Sequence, residues 1–390
     1  MEPVPAVPIR EHCASLTDPR CANARHQLMD ILVIAIYAVL CGAEGWEDIE
    51  EYGHAQAGWF KQVLDMPHGI PSHDTFRRVL ARLDPDEFTR CFLTWTQALS
   101  ERSAGEIVAI DGKTLRRSFD RAAAKAAIHM VSAWANTNRL VLGQLKVEDT
   151  SNEITAIPQL LALLDLQGCI VTIDAMGCQK DIAYTITPQG VDYVLALKEH
   201  HPTLYEDVTL FLHDVKAHNV GHVQYQCEET VDADHGRLEM RTYWITSDIA
   251  WLGAKASWPH LHSIGMVESR REVGDQVAVA TRDYLTSLAC DVAQFAKAVR
   301  EHWGVENALH WVLDVSFRED DCRIRKEKGA QNFAVLRHIA LNLLQRESSH
   351  KRGVIFKFTW DLAHFTWWSG FLVISGTWIE LSQATKHTRK

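Results

Sequence analysis

Two short apolar runs that each close on an aspartate constrain this chain more than any other feature: residues 107–111 read IVAID and residues 169–174 read CIVTID. Segments of this length, rich in β-branched residues, predict strands buried on both faces of a sheet. Asp111 and Asp174 then stand at strand ends, each followed at once by a small residue, Gly112 and Ala175. The carboxyl end of a buried strand opens into a crevice, which is where α/β sheets place their chemistry.

The surrounding order extends this reading. After Gly105 come the strand-like runs IVAID, HMVSAWA and RLVLGQLKV and the helical EITAIPQLLALLDL. CIVTID, a helix from Gln179 to about Thr187 and the strand DYVLALK follow. Three strands, helix, strand, helix, strand predicts an RNase H-like mixed sheet of the α+β or α/β class, in which the strands of Asp111 and Asp174 are neighbours.

A third acid lies further on, in CDVAQFAKAVREHWGVENALHWVL, residues 290–313. On one helix, Phe295, Val299, His302, Glu306, Leu309 and Leu313 share a stripe facing the protein. A carboxylate on such a face costs several kcal/mol unless something holds it. An Arg, or His302 one turn back, would satisfy it. So would a metal shared with the two aspartates, since three facing carboxylates repel unless divalent cations lie between them. Hard oxygen ligands suit Mg²⁺ or Mn²⁺, and a pair of such ions suits phosphodiester chemistry. A competing reading takes His302, Glu306, His310 and Asp314, four apart, as zinc ligands on one helix. Four successive turns drift round the axis, which argues against it.

Composition sets outer limits. The chain has 390 residues, 47% hydrophobic and 23% charged, enough for two or three domains. Nine cysteines without a C-x-x-C pair argue for reduced thiols in a cytoplasmic protein and against a zinc ribbon. The apolar run Ile31–Ala43 is shorter than the ~20 residues of a bilayer span and predicts a buried helix, with no membrane partner. No P-loop, G-x-G-x-x-G or G-x-S-x-G is present, which excludes Walker hydrolysis, dinucleotide redox chemistry and α/β-hydrolase action.

The net charge of −10 opposes nucleic-acid binding unless basic groups are concentrated locally. Three clusters do this: Arg77, Arg78 and Arg82; Lys113, Arg116 and Arg117; and Arg323, Arg325, Lys326 and Lys328. Such runs are as readily solvated faces as binding sites. Lys113, Arg116 and Arg117 directly follow the first aspartate and are placed to meet phosphate. Ser72 is the expected N-cap of a helix HDTFRRVLARL whose wet side carries Arg77, Arg78 and Arg82, a helix-turn-helix-like DNA contact or a solvated face. His73, His129 and His235 read as structural.

In domain terms, residues 1–14 are Pro-rich and expected to be disordered, and 15–104 form a helical domain. Residues 105–346 form the catalytic domain with a β-rich insertion at about 199–289, and 347–390 form a Trp-rich tail.

With these residues in view, the chain resembles the DDE-type insertion-sequence transposases, in particular the H-repeat-associated (ISAs-type) branch found beside Rhs elements. The resemblance spans roughly Leu16 to Arg346. It rests on DPR…RHQLMDILVIAIYAVLCGAEGWEDIEEYG, GIPSHDTFRRVLARLDP, AIDGKTLRRS, VSAWA…LVLGQ, SNEITAIPQLL, TIDAMGCQ, YVLALK, HGRLE and REHWGVENALHWVLDVSFREDDCRIR. It implies an RNase H-like domain with Asp111, Asp174 and Glu306 as catalytic, metal-binding acids for two Mg²⁺ or Mn²⁺ ions. It also implies a helical associated domain, DNA cleavage with strand transfer, and DNA and a second copy of the chain as partners. Related transposases often place Tyr, Arg and Lys around the last acid, where this chain has Val299, His302 and Leu313. Arg300, His302 or Lys198 then stand in for their phosphate contacts. Alternatives within the same chemistry are a nuclease without strand transfer and an inactive DNA-binding remnant, the latter favoured by the atypical tail.

Overall fold

A computed structural model describes residues 9–101, 103–123, 125–218, 223–234 and 237–346. The Trp-rich tail and His235 lie outside the described residues. The amino-terminal part is helical: α1 (Ile9–His12), α2 (Leu28–Leu40), α3 (Trp46–Ala55), α4 (Ala57–Val63), α5 (His73–Arg82) and α6 (Pro85–Leu99). Every residue of α2 from Ile31 to Leu40 is buried, so the apolar run is the centre of this part, as its sequence requires. Helix α6 begins with an N-cap followed by a proline at the first turn, where Asp84 accepts from the backbone N–H groups of Asp86 and Glu87. Disorder is not what residues 9–14 show. Ile9 and Cys13 are buried, because two apolar side chains one turn apart dock α1 against α6.

The rest of the chain builds one sheet. Its elements are β1 (Ile107–Thr114), β2 (His129–Ala135), β3 (Leu140–Lys146), α7 (Glu153–Ala162), β4 (Ile170–Ile173), α8 (Lys180–Ile186), β5 (Asp192–Leu197) and α9 (Pro202–His218). Strands β6 (Tyr225–Asp234), β7 (Arg237–Thr246), β8 (Ser263–Val273) and β9 (Gln276–Thr286) follow, then α10 (Val292–His302), α11 (Trp311–Val315) and α12 (Gly329–Arg346). The nine strands run in the order β3-β2-β1-β4-β5-β9-β8-β7-β6. The expected meander is present, and β4 lies parallel between β1 and β5.

Strands β6 to β9 lie between β5 and α10 in sequence, and β9 pairs antiparallel with β5, so they carry the sheet on without a break. Two local expectations give way. The stretch after Lys198 opens with a 17-residue helix, α9, whose Leu204, Val208, Leu212 and Val215 are buried at spacings of four, four and three. The predicted single helix over 290–313 is broken. Helix α10 ends at His302, residues Val305–His310 form a π-helical turn, and α11 resumes at Trp311.

Helix α12 joins the helical part to the sheet. Asn332 Nδ2 donates to the carbonyls of Leu80 and Leu83 at 2.8 and 3.0 Å. Ten residues on, Asn342 exchanges two hydrogen bonds with the backbone of Val141, covering the open edge of β3. One apolar core runs through both parts in consequence. Among the described residues no helix is long and apolar enough to cross a membrane.

Candidate active site

Parallel pairing between β1 and β4 stops at Ile110 opposite Ile173, and the next residue on each strand is an acid. Asp111 and Asp174 thus emerge side by side where the two strands part. Asp111 is not at a strand end, since β1 continues against β2 to Thr114. Asp174 caps the short turn Ala175–Gly177, accepting from Met176 N and Gly177 N at 3.1 and 3.4 Å.

The π-helical turn brings the third acid over β1. Its approach depends on Gly304, where a Cβ would fall 1.9 Å from Asn136 Oδ1. Glu306 stays on the face of Val299 and His302, with which it lines one cleft. Val305 and Leu309 are buried, and the Glu306 side chain keeps 52% of its exposure. Asp111 is less exposed, at 17%. His310 stands between the two, its Nδ1 3.4 Å from Asp111 Oδ2 and 3.6 Å from Glu306 Oε2. Ligand atoms of Asp111, Glu306 and His310 all lie within 4.8 Å of one another. Asp174 lines the same cleft of about 210 Å³, together with Lys198, Arg282, His302 and Trp303.

Charge in this cleft is frustrated. Burial pushes the Asp111 carboxyl up to about 6, with Glu306 and Asp174 adding to the rise and His310 opposing it. The His310 ring beside Glu306 holds that carboxyl below its ordinary value. Burial pushes His302 down, and its Nδ1 lies 3.0 Å from Thr172 Oγ1. The chemistry available is that of clustered oxygen donors with one imidazole edge.

Most basic residues singled out in the sequence are engaged elsewhere. Lys113 is nearly buried and pairs with Asp314, Glu319 and Asp320. Burial would lower its pKa, but Glu319 and Asp314 outweigh that and raise it. Arg116 pairs with Asp320 at 3.1 Å, Arg117 with Asp321 at 3.3 Å and Arg300 with Asp232 at 2.6 Å. Arg77 and Arg78 pair with Asp74, Arg82 is exposed, and none of the three lines the cleft. Lys198 is exposed on the cleft wall. Val299 and Leu313 are buried and apolar, with no donor to offer a phosphate. The zinc quartet does not assemble, because His302 turns to Thr172 and Asp314 to Lys113. His73 and His129 do serve structure, each 2.6 Å from a glutamate, Glu50 and Glu153.

Sequence reasoning missed Arg282 on β9 and the role of His310 beside the acids. Four-residue spacing from Glu306 was a signal for His310. For Arg282, stacked 4.8 Å from the Trp303 ring, the contact is long-range and carries no local signal.

Comparison with known proteins places this geometry. Residues 102–343 match the family model of the transposase DDE domain, and residues 10–96 match that of the DDE_Tnp_1-associated region. The chain belongs to the DDE transposase family. It is 40% identical over 353 residues to the "H repeat-associated putative transposase YhhI" of Escherichia coli K12, covering 89% of this chain and 92% of that protein. It is 42% identical over 337 residues to the "Putative transposase YncI" of Escherichia coli O157:H7, covering 85% of each. Among solved structures, the piggyBac transposase synaptic complex with hairpin DNA aligns over 90% of this chain and 73% of that one, with a TM-score of 0.42 and 10% identity.

Proposed function

We propose that this family member is an active DNA transposase with an RNase H-like catalytic unit. It cuts phosphodiester bonds at the ends of an insertion sequence and joins the freed 3′-hydroxyl to target DNA. The observation that carries this is the meeting of Asp111, Asp174 and Glu306, distant in sequence, at one cleft where β1 and β4 part.

The donor set fits divalent metal. Three carboxylates share one cleft, burial and then the charge of Glu306 and Asp174 push Asp111 toward protonation, and hard oxygen ligands suit Mg²⁺ or Mn²⁺. Asp111, Asp174 and Glu306 would hold the ions. When bound, two such ions make water a competent nucleophile at neutral pH and stabilise the departing 3′-oxygen. The protein's own residues do the rest. His310 Nδ1 faces Asp111 and Glu306 and keeps both carboxylates turned to the cleft. Lys198 and Arg282 offer positive charge to the phosphates flanking the scissile bond. DNA is the partner, and because two element ends are joined at once, a homodimer is the assembly that acts.

The test is a single-turnover reaction on DNA carrying the element's flanking ends, following nicks and joined products separately. Mg²⁺-dependent nicking and joining, both lost in Asp174→Asn, is the expected result. Nicking without joined product identifies a nuclease instead, and DNA binding without either product identifies an inactive remnant.

A further inference from the structure

Strand β3 reads LVLGQLK, and its Gln144 is fully buried. Register places Asp111, Ser132 and Gln144 opposite one another across β1, β2 and β3, so the three share one face of the sheet. A buried amide costs free energy unless its hydrogen bonds are made. Neither amide atom of Gln144 has a protein partner among the described residues, nor do His310 Nε2, His338 Nδ1 and Glu319 Oε1. Glu319 Oε1 does lie 3.6 Å from Arg337, too far for a hydrogen bond. All four residues line a single internal cavity, between the sheet, the π-helical turn and α12, with about 10 Å³ of room. That is roughly the space one water molecule needs.

We propose that Gln144, His338 and Glu319 bind one internal water molecule against the back of His310, which makes Gln144 a positioning residue for the carboxylate site. Four of the orphaned atoms can share it, one from each residue. His310 Nδ1 faces two acceptors, Asp111 and Glu306, and so carries the ring proton, leaving Nε2 to accept. The water donates to His310 Nε2 and to Glu319 Oε1. It accepts from the Gln144 amide and from His338 Nδ1. Burial holds His338 down to about 4, so its ring is neutral and has one donor to give. Lys113 anchors Glu319 from the other side at 3.0 Å, which fixes one wall of the water site. The link to the carboxylates rests on the metal reading above, and the water site itself does not.

The test uses Mn²⁺ binding to the purified full chain, thermal melting and a high-resolution crystal structure. Gln144→Met removes the amide donor and displaces the water, leaving three buried polar atoms without it, so melting falls and Mn²⁺ affinity falls about 10-fold, as loss of an outer partner of a ligand set does. Combined with His310→Asn, it adds no further loss of affinity, because Gln144 acts through His310. His338→Leu provides a second route to the same loss if Gln144→Met does not fold. The crystal structure shows one solvent peak touching Gln144, His310, His338 and Glu319. The proposal is overturned by unchanged Mn²⁺ affinity, by additive losses, or by a cavity without solvent. Asp111→Asn separates the two ideas: if it binds Mn²⁺ as the parent does, the metal reading fails whatever Gln144 does.

Discussion

Asp111→Asn stabilises the metal-free protein at neutral pH while ending its chemistry. The Asp111 carboxyl rises from the ordinary 3.8 to about 6 because burial, and then Glu306 and Asp174, penalise its charge. A carboxyl whose folded pKa lies above its unfolded one binds more protons when folded, so stability falls as pH rises between the two values. That cost is absent below about pH 3.8, grows through the window up to about 6 and is complete above it. The two-unit rise corresponds to ~3 kcal/mol at pH 8 and about half of that at pH 5. Asn is close in shape and uncharged, so it removes the penalty. Denaturant unfolding in EDTA should show Asp111→Asn more stable than the parent, by an increment growing about 1 kcal/mol or more from pH 5 to pH 8. Divalent metal should reverse the order, since a ligand at about 1,000 times its Kd stabilises the folded parent by about 4.1 kcal/mol and has no complete site in the variant. An increment that does not change with pH, or a variant less stable than the parent at pH 8, would refute the charge argument.

Three further outcomes separate positioning from chemistry. Lys113→Met strands the buried Glu319 carboxylate and should cost about 3–5 kcal/mol in chemical denaturation. Because Lys113 is committed to that cluster, its folded variant should keep the salt dependence of DNA binding. Gly304→Ala sets a methyl 1.9 Å from Asn136 Oδ1 and shifts the π-helical turn. Cleavage rate should fall on the order of 10²-fold, with a much smaller loss in melting temperature. Lys198→Ala removes an exposed cation from the cleft wall, so the slope of log affinity against log salt should shrink by about 1.

What the sequence made legible was local. The strand of Asp111 and the run closing on Asp174 are short apolar segments, and their adjacency follows from element order, so both acids could be placed together in advance. Glu306 lies on the face its 3.6-residue period predicts, beside Val299 and His302, but that face opens into the cleft and leaves the side chain 52% exposed, and the π-helical turn that breaks the helix there leaves no trace in periodicity. Helix α9 was legible in Leu204, Val208, Leu212 and Val215, but the β-prone runs after it hid the change of period. The fate of the basic clusters could not be read at all. Lys113 meets Asp314 and Glu319 some 200 positions away, and only the fold brings them together.

That pairing bears on how an acidic chain engages DNA. Of the basic residues that flank the aspartates or α10 in sequence, Lys113, Arg116, Arg117 and Arg300 each face a carboxylate of the chain itself. What remains on the cleft wall is Lys198 and Arg282, against Asp111, Asp174 and Glu306. Without metal, a phosphate entering the cleft meets more negative charge than positive, and affinity from counterion release is correspondingly poor. On the proposed function, bound divalent ions would invert that balance where the scissile phosphate sits. Affinity for element-end DNA should therefore rise with Mg²⁺ or Ca²⁺ at constant ionic strength, and Asp111→Asn should abolish the rise while binding in EDTA tightens slightly, one opposing charge being gone. Binding that is equally tight with and without divalent ions would mean that DNA is held by another face, and that the cleft does not hold the scissile phosphate.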